Sequence, residues 1–324
     1  MQARTQSLRN HLEKLVRRDL RVGASVVEDA LRKRIDEYYL PIFQWTEALV
    51  DATQTRAPPS NANSSTMTET APPCVCIGVS CVQGGGKTTL TNYLEEMFAF
   101  TGKRCAVLSL DDVYLERTKQ VELAAANPEN PLLQYRGNPG TQDVKFLMDF
   151  VHECKTSTDE IRVPRFDKSL FDGRGDRAPP SEWPKVQGPL DVLLIEGWCM
   201  GFQALESSAS LSANMQPVNE ALREFDQLYN ELDGLLVIKV DSLDWIYKWR
   251  EEPEAKLRAA NKPALTQDQV RDFVDRFMPA YRTYLNALYV TPDANASSRL
   301  ASIPRLVVEI DESRLPVGRI ARQE

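Results

Sequence analysis

The chain has 324 residues, of which 42% are hydrophobic and 26% are charged, a balance typical of a globular protein with a buried core. Its net charge of −7 argues against a nucleic-acid partner, because binding to a phosphate backbone needs an excess of clustered Lys and Arg. No apolar run reaches the ~18 residues of a membrane-spanning helix, so we expect no membrane partner.

The amino-terminal part predicts a helical appendage over residues 1–51. Apolar residues recur at helical spacing between positions 7 and 50, and Pro41 predicts a break or restart of the second helix. Residues 52–73 are rich in Thr, Ser, Ala, Asn and Pro, which predicts a mobile linker. A catalytic domain is then expected over residues 74–324.

Location and redox state can be read from the same composition. The first 22 residues carry six basic and two acidic side chains, a bias that suggests an organellar presequence. We favour a basic surface helix and a cytoplasmic protein, with a mitochondrial location as the alternative. The six cysteines show no paired zinc-type spacing, and most sit in apolar surroundings, which indicates a reducing compartment. With two histidines, a histidine-based metal site is not expected.

From residue 74 onward, apolar strands alternate with helices. The predicted strands are Val75–Val79, Cys105–Leu110, Val192–Ile195, Leu235–Val240 and Leu306–Ile310. The predicted helices between them include Thr88–Phe100 and Val144–Cys154. This alternation predicts an α/β three-layer sandwich with a mainly parallel sheet, where ligands bind beyond the carboxyl ends of the strands. In the simplest winding, the second strand neighbours the first.

The strongest motif is SCVQGGGKTT at Ser80–Thr89, a P-loop (Walker A) pattern. Backbone N–H groups of such a turn, and the helix N-terminus after it, point at phosphate oxygens. Lys87 then reaches the β- and γ-phosphates, and the Thr88 hydroxyl binds Mg²⁺. Cys81 replaces the first consensus glycine. The predicted nucleotide-binding residues are Gln83, Gly84, Gly85, Gly86, Lys87, Thr88 and Thr89.

Acidic residues follow two other strands. Asp111 and Asp112 end the second strand, where a carboxylate can take the proton of a phosphoryl-accepting hydroxyl. We favour Asp111 for this task, while Asp112 could cap the next turn; both could also be solvated loop acids. Glu196 ends the third strand and is the expected second anchor of hydrated Mg²⁺.

Two cationic segments remain. Residues 165–177 hold a Gly-rich loop with four cations, suited to a carboxylate or a phosphate, although an ordinary charged loop fits the pattern equally well. Residues 242–262 predict a helical lid, interrupted near Pro253 and carrying Arg250; an amphipathic surface helix is the alternative. The loop cations are Arg165, Lys168, Arg174 and Arg177.

Several motifs together are more specific than the P-loop. They are SCVQGGGKTTL, LSLDDVYL, YRGNPGTQD, PRFDKSLFDGRGDRA, IEGWCMGF, YKWREEPE and RFMPAYRTYL. In these segments the chain resembles the D-glycerate 3-kinase family, including its fungal ATP-binding relatives, within the uridine kinase, phosphoribulokinase and pantothenate kinase group. The resemblance runs from about Cys76 to Gly318.

This resemblance implies that the γ-phosphoryl of ATP is transferred to a hydroxyl of D-glycerate with Mg²⁺. It makes Lys87 the phosphate ligand, Thr88 a metal ligand, Asp111 a catalytic and metal-associated acid, Glu196 the second metal acid and Arg250 the lid cation. The expected acceptor-side residues are Asp112, Tyr114, Arg136, Asn138, Thr141, Asp143, Arg165, Lys168, Arg174 and Arg177.

Two other interpretations stay open. One is a kinase of another small hydroxylated metabolite, such as a sugar acid or a nucleoside. The loop cations favour an acidic acceptor, because a neutral nucleoside would prefer an aromatic slot. The other is an ATP-binding regulatory module without catalysis, against which the joint presence of Lys87, Thr88 and Asp111 argues.

Overall fold

The structure is a computed structural model that describes residues 2–19, 28–56, 72–290, 298–318 and 320. The strands in these ranges are β1 (Val75–Cys81), β2 (Cys105–Ser109), β3 (Glu160–Arg162), β4 (Phe166–Asp167), β5 (Asp176–Arg177), β6 (Lys185–Gln187), β7 (Val192–Gly197), β8 (Gly234–Val240) and β9 (Arg305–Ile310).

Five strands form the central sheet, in the order β2-β7-β1-β8-β9 and parallel at every pairing. Strands β1 and β7 are buried at every residue, which requires helices on both faces of the sheet. The predicted α/β fold with a parallel sheet is therefore confirmed. The small pairs β3-β6 and β4-β5 are antiparallel.

The predicted neighbour of the P-loop strand is wrong. Strand β7 lies between β1 and β2 and pairs with both. Strand β7 is buried throughout, whereas β2 has two half-buried residues, as expected for an inner strand next to a strand at the sheet edge. As a result, Glu196 lies between the phosphate loop and the end of β2, with Ser109 opposite it.

Helices connect and cover these strands. They are α1 (Gln2–Asp19), α2 (Glu28–Arg34), α3 (Leu40–Arg56), α4 (Lys87–Phe100), α5 (Arg117–Ala126), α6 (Val144–Thr156), α7 (Met215–Leu222), α8 (Asp226–Glu231), α9 (Asp244–Ala259), α10 (Gln267–Asp275), α11 (Met278–Tyr289) and α12 (Arg299–Ser302). No helix in the described part of the chain has the length and apolar content needed to cross a membrane.

The amino-terminal helices share the core of the sheet. Leu12, Ile35 and Phe43 belong to the same cluster of buried side chains as the strands. A π-helical turn over Ile35–Tyr39 leads into α3, and Leu40 at the junction is itself helical, so the helical backbone continues across Pro41 without the predicted break. Helix α3 then continues into the predicted linker, of which residues 57–71 lie outside the described part. The division into appendage, linker and catalytic domain stays a prediction.

The lid segment forms one helix, α9, which contains Pro253 without a break. The predicted interruption is therefore wrong. Proline removes one helical hydrogen bond, but Ile246 and Trp249 are buried in the core, and this packing outweighs the local loss. The lid function itself stays a prediction.

Candidate active site

The phosphate loop connects β1 to α4, and its backbone requires glycine. Gly84 and Gly86 have φ angles of 80° and 94°, a region that disfavours residues with a side chain. At Gly85 the limit is space, because an added Cβ would lie 2.3 Å from the Cys81 sulfur. The first N–H groups of α4 have no partner within the helix and form an anion site.

The phosphate loop departs from the glycine consensus at Cys81. Its side chain is 1% exposed and fills the space beneath Gly85. Burial raises the pKa of this thiol to about 12, so the group is neutral at physiological pH. Cys81 therefore acts as a small apolar support under the loop.

Lys87, Thr88 and Glu196 meet where phosphates and a metal would bind. The Thr88 hydroxyl donates to Glu196 Oε1 at 3.1 Å, and Lys87 Nζ lies 4.0 Å from Glu196 Oε2. Glu196 is 4% exposed, so its charge acts on these two neighbours and not on solvent. Hard oxygen groups of this kind suit Mg²⁺. The described residues contain no group of three or more His, Cys, Asp or Glu side chains that could hold a metal ion.

Asp111 lies in the short helical turn after β2. Its Oδ1 accepts the Tyr114 hydroxyl at 2.7 Å, and its Oδ2 forms an ion pair with Lys168. Burial opposes ionisation, but Lys168, the Tyr114 hydroxyl and Lys87 together lower the pKa of Asp111 below its ordinary value. The carboxylate is thus ionised at neutral pH and available to accept a proton.

Asp112 holds the turn instead of facing a ligand. Its carboxylate accepts N–H groups of Ser109 at 3.4 Å and Phe166 at 3.2 Å, and Arg165 lies 3.5 Å away. Ser109 and Asp112 form a capping box, the alternative that the sequence had left open. Burial raises the pKa of Asp112 despite Arg165. The ion pair between Asp112 and Arg165 ties the cationic loop of residues 165–177 to the end of β2.

Two predicted acceptor residues lie inside the fold. Asn138 is 3% exposed and Thr141 is 0% exposed. The Asn138 amide donates to the carbonyls of Leu132 and Arg276, each at 3.1 Å. The Thr141 hydroxyl donates to the Asn138 carbonyl at 2.7 Å. Both side chains support the segment that carries Arg136, and in this conformation neither is open to a ligand.

Asp143 and Arg177 form a second structural pair. Asp143 caps α6 by accepting the Phe146 N–H at 3.1 Å. Arg177 donates to Asp143 at 3.4 Å and to Glu116 at 3.1 Å, with its guanidinium 3.9 Å from the centre of the Phe146 ring. This pair anchors β5 to α6, a role that the sequence pattern did not distinguish from ligand binding.

Three other arginines line a cavity of about 370 Å³ between α5 and the loop joining β4 and β5. Within the described residues, Arg117, Arg136 and Arg174 form no ion pair with a carboxylate; each guanidinium instead faces an aromatic ring, at 4.4, 5.4 and 4.5 Å respectively. Arg136 also donates to the carbonyls of Gly173 and Arg174. Sequence reasoning missed Arg117, whose helix shows no buried residue and hence no apolar stripe.

The residue of α9 that contacts the phosphate loop is Trp249, whereas the sequence predicts Arg250. Arg250 lies 3.9 Å from Glu254 and 5.1 Å from the Phe273 ring centre, on the side of α10. Trp249 instead packs on the loop, since a Cβ at Gly84 would lie 2.5 Å from Trp249 Cβ. Sequence reasoning also missed Tyr281, whose hydroxyl accepts the Gln83 N–H at 3.0 Å.

A glycine loop between a buried parallel strand and a helix, with Lys87, Thr88 and Glu196 at its mouth, defines the P-loop phosphotransferases. No family model matches the chain. It is 36% identical to the chloroplastic D-glycerate 3-kinase of Arabidopsis thaliana over 293 residues, 88% of this chain and 61% of that protein. It is 35% identical to a probable ATP-dependent kinase of Saccharomyces cerevisiae, over 72% of this chain and 83% of the relative.

The solved D-glycerate 3-kinase of Cryptococcus neoformans var. grubii superposes with a TM-score of 0.70 at 30% identity, over 86% of this chain and 98% of that one. The chain therefore belongs to the D-glycerate 3-kinase family, which includes fungal ATP-dependent kinases. It spans about three fifths of the length of the Arabidopsis relative.

Proposed function

We propose that the protein transfers the γ-phosphoryl group of ATP to D-glycerate, giving ADP and 3-phospho-D-glycerate. The observation that carries this proposal is the cavity lined by Arg117, Arg136 and Arg174, none of which forms an ion pair with a carboxylate of the described residues. Two relatives bear the name D-glycerate 3-kinase, and a glycerate carboxylate is the kind of anion that this cavity would accept.

The cavity adjoins the candidate base through a continuous set of contacts. The Tyr114 hydroxyl is bonded to Asp111, and the Tyr114 ring lies 5.5 Å from the Phe166 ring. Phe166 lines the cavity and stacks with Arg136 at 5.4 Å. An acceptor held by its carboxylate at the arginines would thus have its hydroxyl end on the side of Asp111.

Electrostatics favours an acidic acceptor over a neutral one. Burial lowers the pKa of Arg136, which means that its charged form is poorly solvated and gains from an anion. A guanidinium fork binds a carboxylate through two charge-assisted hydrogen bonds. A neutral polyol would leave the same cation desolvated and unpaired.

The proposed reaction requires one proton transfer and one phosphoryl transfer. The acceptor hydroxyl oxygen forms a bond to the γ-phosphorus, the bond from that phosphorus to the β–γ bridging oxygen breaks, and ADP leaves. Asp111 takes the hydroxyl proton, since each of its oxygens has a lone pair beyond those used by Tyr114 and Lys168. Lys87 and the loop N–H groups stabilise the charge on the phosphate oxygens.

Thr88 and Glu196 are the residues proposed to hold Mg²⁺, directly and through water. The ion, when bound, neutralises phosphate charge. The six cysteines are buried free thiols, which supports assigning the enzyme to a reducing compartment such as the cytoplasm.

The test is an ADP-release assay with D-glycerate, glycerol and a panel of hydroxy acids, sugars and nucleosides. We expect kcat/KM for D-glycerate to exceed that for glycerol by at least about 100-fold, the order of magnitude expected when a charged hydrogen bond is lost. Equal turnover of the two compounds would contradict an acidic acceptor. ATP hydrolysis that no acceptor stimulates would instead favour a regulatory module.

Substitution of the cavity arginines tests whether they bind the carboxylate of the acceptor. Arg174→Ala should lower kcat/KM for D-glycerate towards that for glycerol while the affinity for ATP is unchanged, because Arg174 makes no hydrogen bond through its side chain to another described residue. Arg162→Ala is the matched control, since Arg162 is an exposed arginine that donates to the Pro180 carbonyl at 3.0 Å. If Arg174→Ala and Arg136→Ala both keep the selectivity of the wild type, the cavity is not the acceptor site.

A further inference from the structure

We propose that Arg314 is a positioning residue that fixes the shape of the phosphate loop and couples the loop to helix α9. The inference rests on ATP-dependent phosphoryl transfer by this family but not on the identity of the acceptor. Arg314 follows β9 and is 230 residues away from the loop in sequence, outside every motif that the sequence analysis used.

The Arg314 guanidinium makes three contacts at once. Its Nε donates to the Gly84 carbonyl at 2.7 Å, and its Nη2 donates to Glu252 at 2.8 Å. Its Cζ lies over the Trp249 ring, 4.8 Å from the ring centre. Gly84 belongs to the phosphate loop, whereas Glu252 and Trp249 belong to α9. One side chain therefore connects two elements that both border the nucleotide site.

The bond to Gly84 acts on one particular peptide unit. A peptide bond is planar, so fixing the Gly84 carbonyl also fixes the direction of the Gly85 N–H. That N–H donates to the Val82 carbonyl at 3.3 Å. The two hydrogen bonds hold opposite edges of the same peptide plane, and together they set the turn from which the following N–H groups reach the phosphates.

Arg314 is itself held by the turn in which it lies. Its φ of 59° is left-handed, and its N–H donates to the Asp311 carbonyl at 2.9 Å. Asp311 Oδ1 accepts the N–H groups of Ser313 at 2.8 Å and Leu315 at 2.9 Å. An arginine in a left-handed conformation is disfavoured, so the turn is maintained by these bonds and directs the side chain.

Helix α9 is attached to the same turn by two further bonds. Trp249 Nε1 donates to the Glu312 carbonyl at 2.9 Å, and Lys248 forms an ion pair with Glu312 at 2.9 Å. Trp249 also packs directly on Gly84. A displacement of α9 would thus move the turn, the Arg314 guanidinium and the loop together, which gives α9 a direct effect on nucleotide binding.

The experiment measures nucleotide binding without an acceptor, so that its outcome is independent of the glycerate proposal. For Arg314→Ala we expect the Kd of MgATP, measured by calorimetric titration, to rise about tenfold. This change corresponds to the low end of the range of free energies that a charged hydrogen bond contributes. In turnover assays the KM for ATP should rise and kcat should fall, while the KM for the acceptor is unchanged. Arg299→Ala is the matched control, an exposed arginine that donates to the Leu232 carbonyl at 3.2 Å.

Two more variants separate positioning from general stability. Arg314→Lys keeps the charge but offers one donor site in place of a fork, so ATP affinity should be only partly restored. Glu252→Ala leaves the Gly84 bond in place and removes the ion pair between Arg314 and α9; its effect should not add to that of Arg314→Ala, because both act through one guanidinium. A folded Arg314→Ala protein with a Kd within twofold of the wild type would overturn the proposal, as would full additivity of the two substitutions.

Discussion

The two halves of the candidate site differ in how their cations are neutralised. On the phosphate side, Lys87 Nζ lies 4.0 Å from the buried carboxylate of Glu196. On the acceptor side, Arg117, Arg136 and Arg174 face aromatic rings and, in the described residues, no carboxylate. The phosphate half is therefore organised by the protein itself, whereas the acceptor half gains most when the ligand supplies the negative charge.

The same contrast exists within a single loop. Arg174 and Arg177 are three residues apart, yet Arg177 is paired with Asp143 and Glu116 while Arg174 stacks on Tyr135. Identical side chains thus serve structure at one position and are open to a ligand at the other. Substitutions on each side of this division test whether the comparison holds.

The largest effect is expected on the phosphate side. Lys87→Ala should lower kcat by about 10²–10³-fold, the loss typical of one electrostatic contact to the transferring group. The far-ultraviolet circular dichroism spectrum should stay unchanged, because the Lys87 ammonium group contacts the described structure only through a 3.4 Å hydrogen bond to the Val82 carbonyl and a 4.0 Å ion pair with Glu196. Near-normal turnover by a folded Lys87→Ala protein would refute the nucleotide site.

Stability should separate the two arginines of the loop. Arg177→Ala removes bonds to two carboxylates from a side chain that is 13% exposed, and we expect the free energy of unfolding to fall by about 2 kcal/mol. Arg174→Ala should change it by less than about 0.5 kcal/mol, as for a surface substitution. Urea denaturation of both variants measures the difference. Equal losses would show that the division between paired and open arginines has no energetic basis.

The smallest effect concerns pH. Lys168 helps to lower the pKa of Asp111, whose ionised form is the proposed base. Activity should therefore persist as the pH falls until it passes through this lowered pKa. Lys168→Met removes the cation, so the pKa rises and the acid limb of the kcat/KM profile should move to higher pH. Lys168→Arg keeps the charge and serves as the control; a limb that moves down in Lys168→Met would contradict the assignment.

The sequence predicts those parts of the candidate site whose residues are contiguous in the chain. The loop from Gly84 to Thr88 is recognisable because turn, lysine and helix start are contiguous, and the strand register confirms that Glu196 ends a buried strand beside the loop strand. Roles that depend on a partner far away in the sequence could not be predicted from the sequence. Whether Arg177 binds Asp143 or a ligand is decided by where α6 lies.

The strand order shows the same limit. Strands β2 and β7 are both apolar and of similar length, and only packing decides which of them lies beside β1. Arg314 escaped notice because its partner Gly84 is 230 positions away. Its immediate neighbours in sequence resemble any surface turn.

The contact between Cys81 and Gly85 also constrains how this loop can evolve. An alanine at position 85 would place its Cβ 2.3 Å from the Cys81 sulfur, while the next nearest atoms lie at 3.4 and 3.5 Å, an ordinary contact distance. We therefore expect Gly85→Ala to distort the loop while Cys81 is present and to be tolerated once Cys81 has been replaced by glycine. The order of substitution matters: a lineage can reach the double replacement through Cys81→Gly, and the reverse order passes through a distorted phosphate loop.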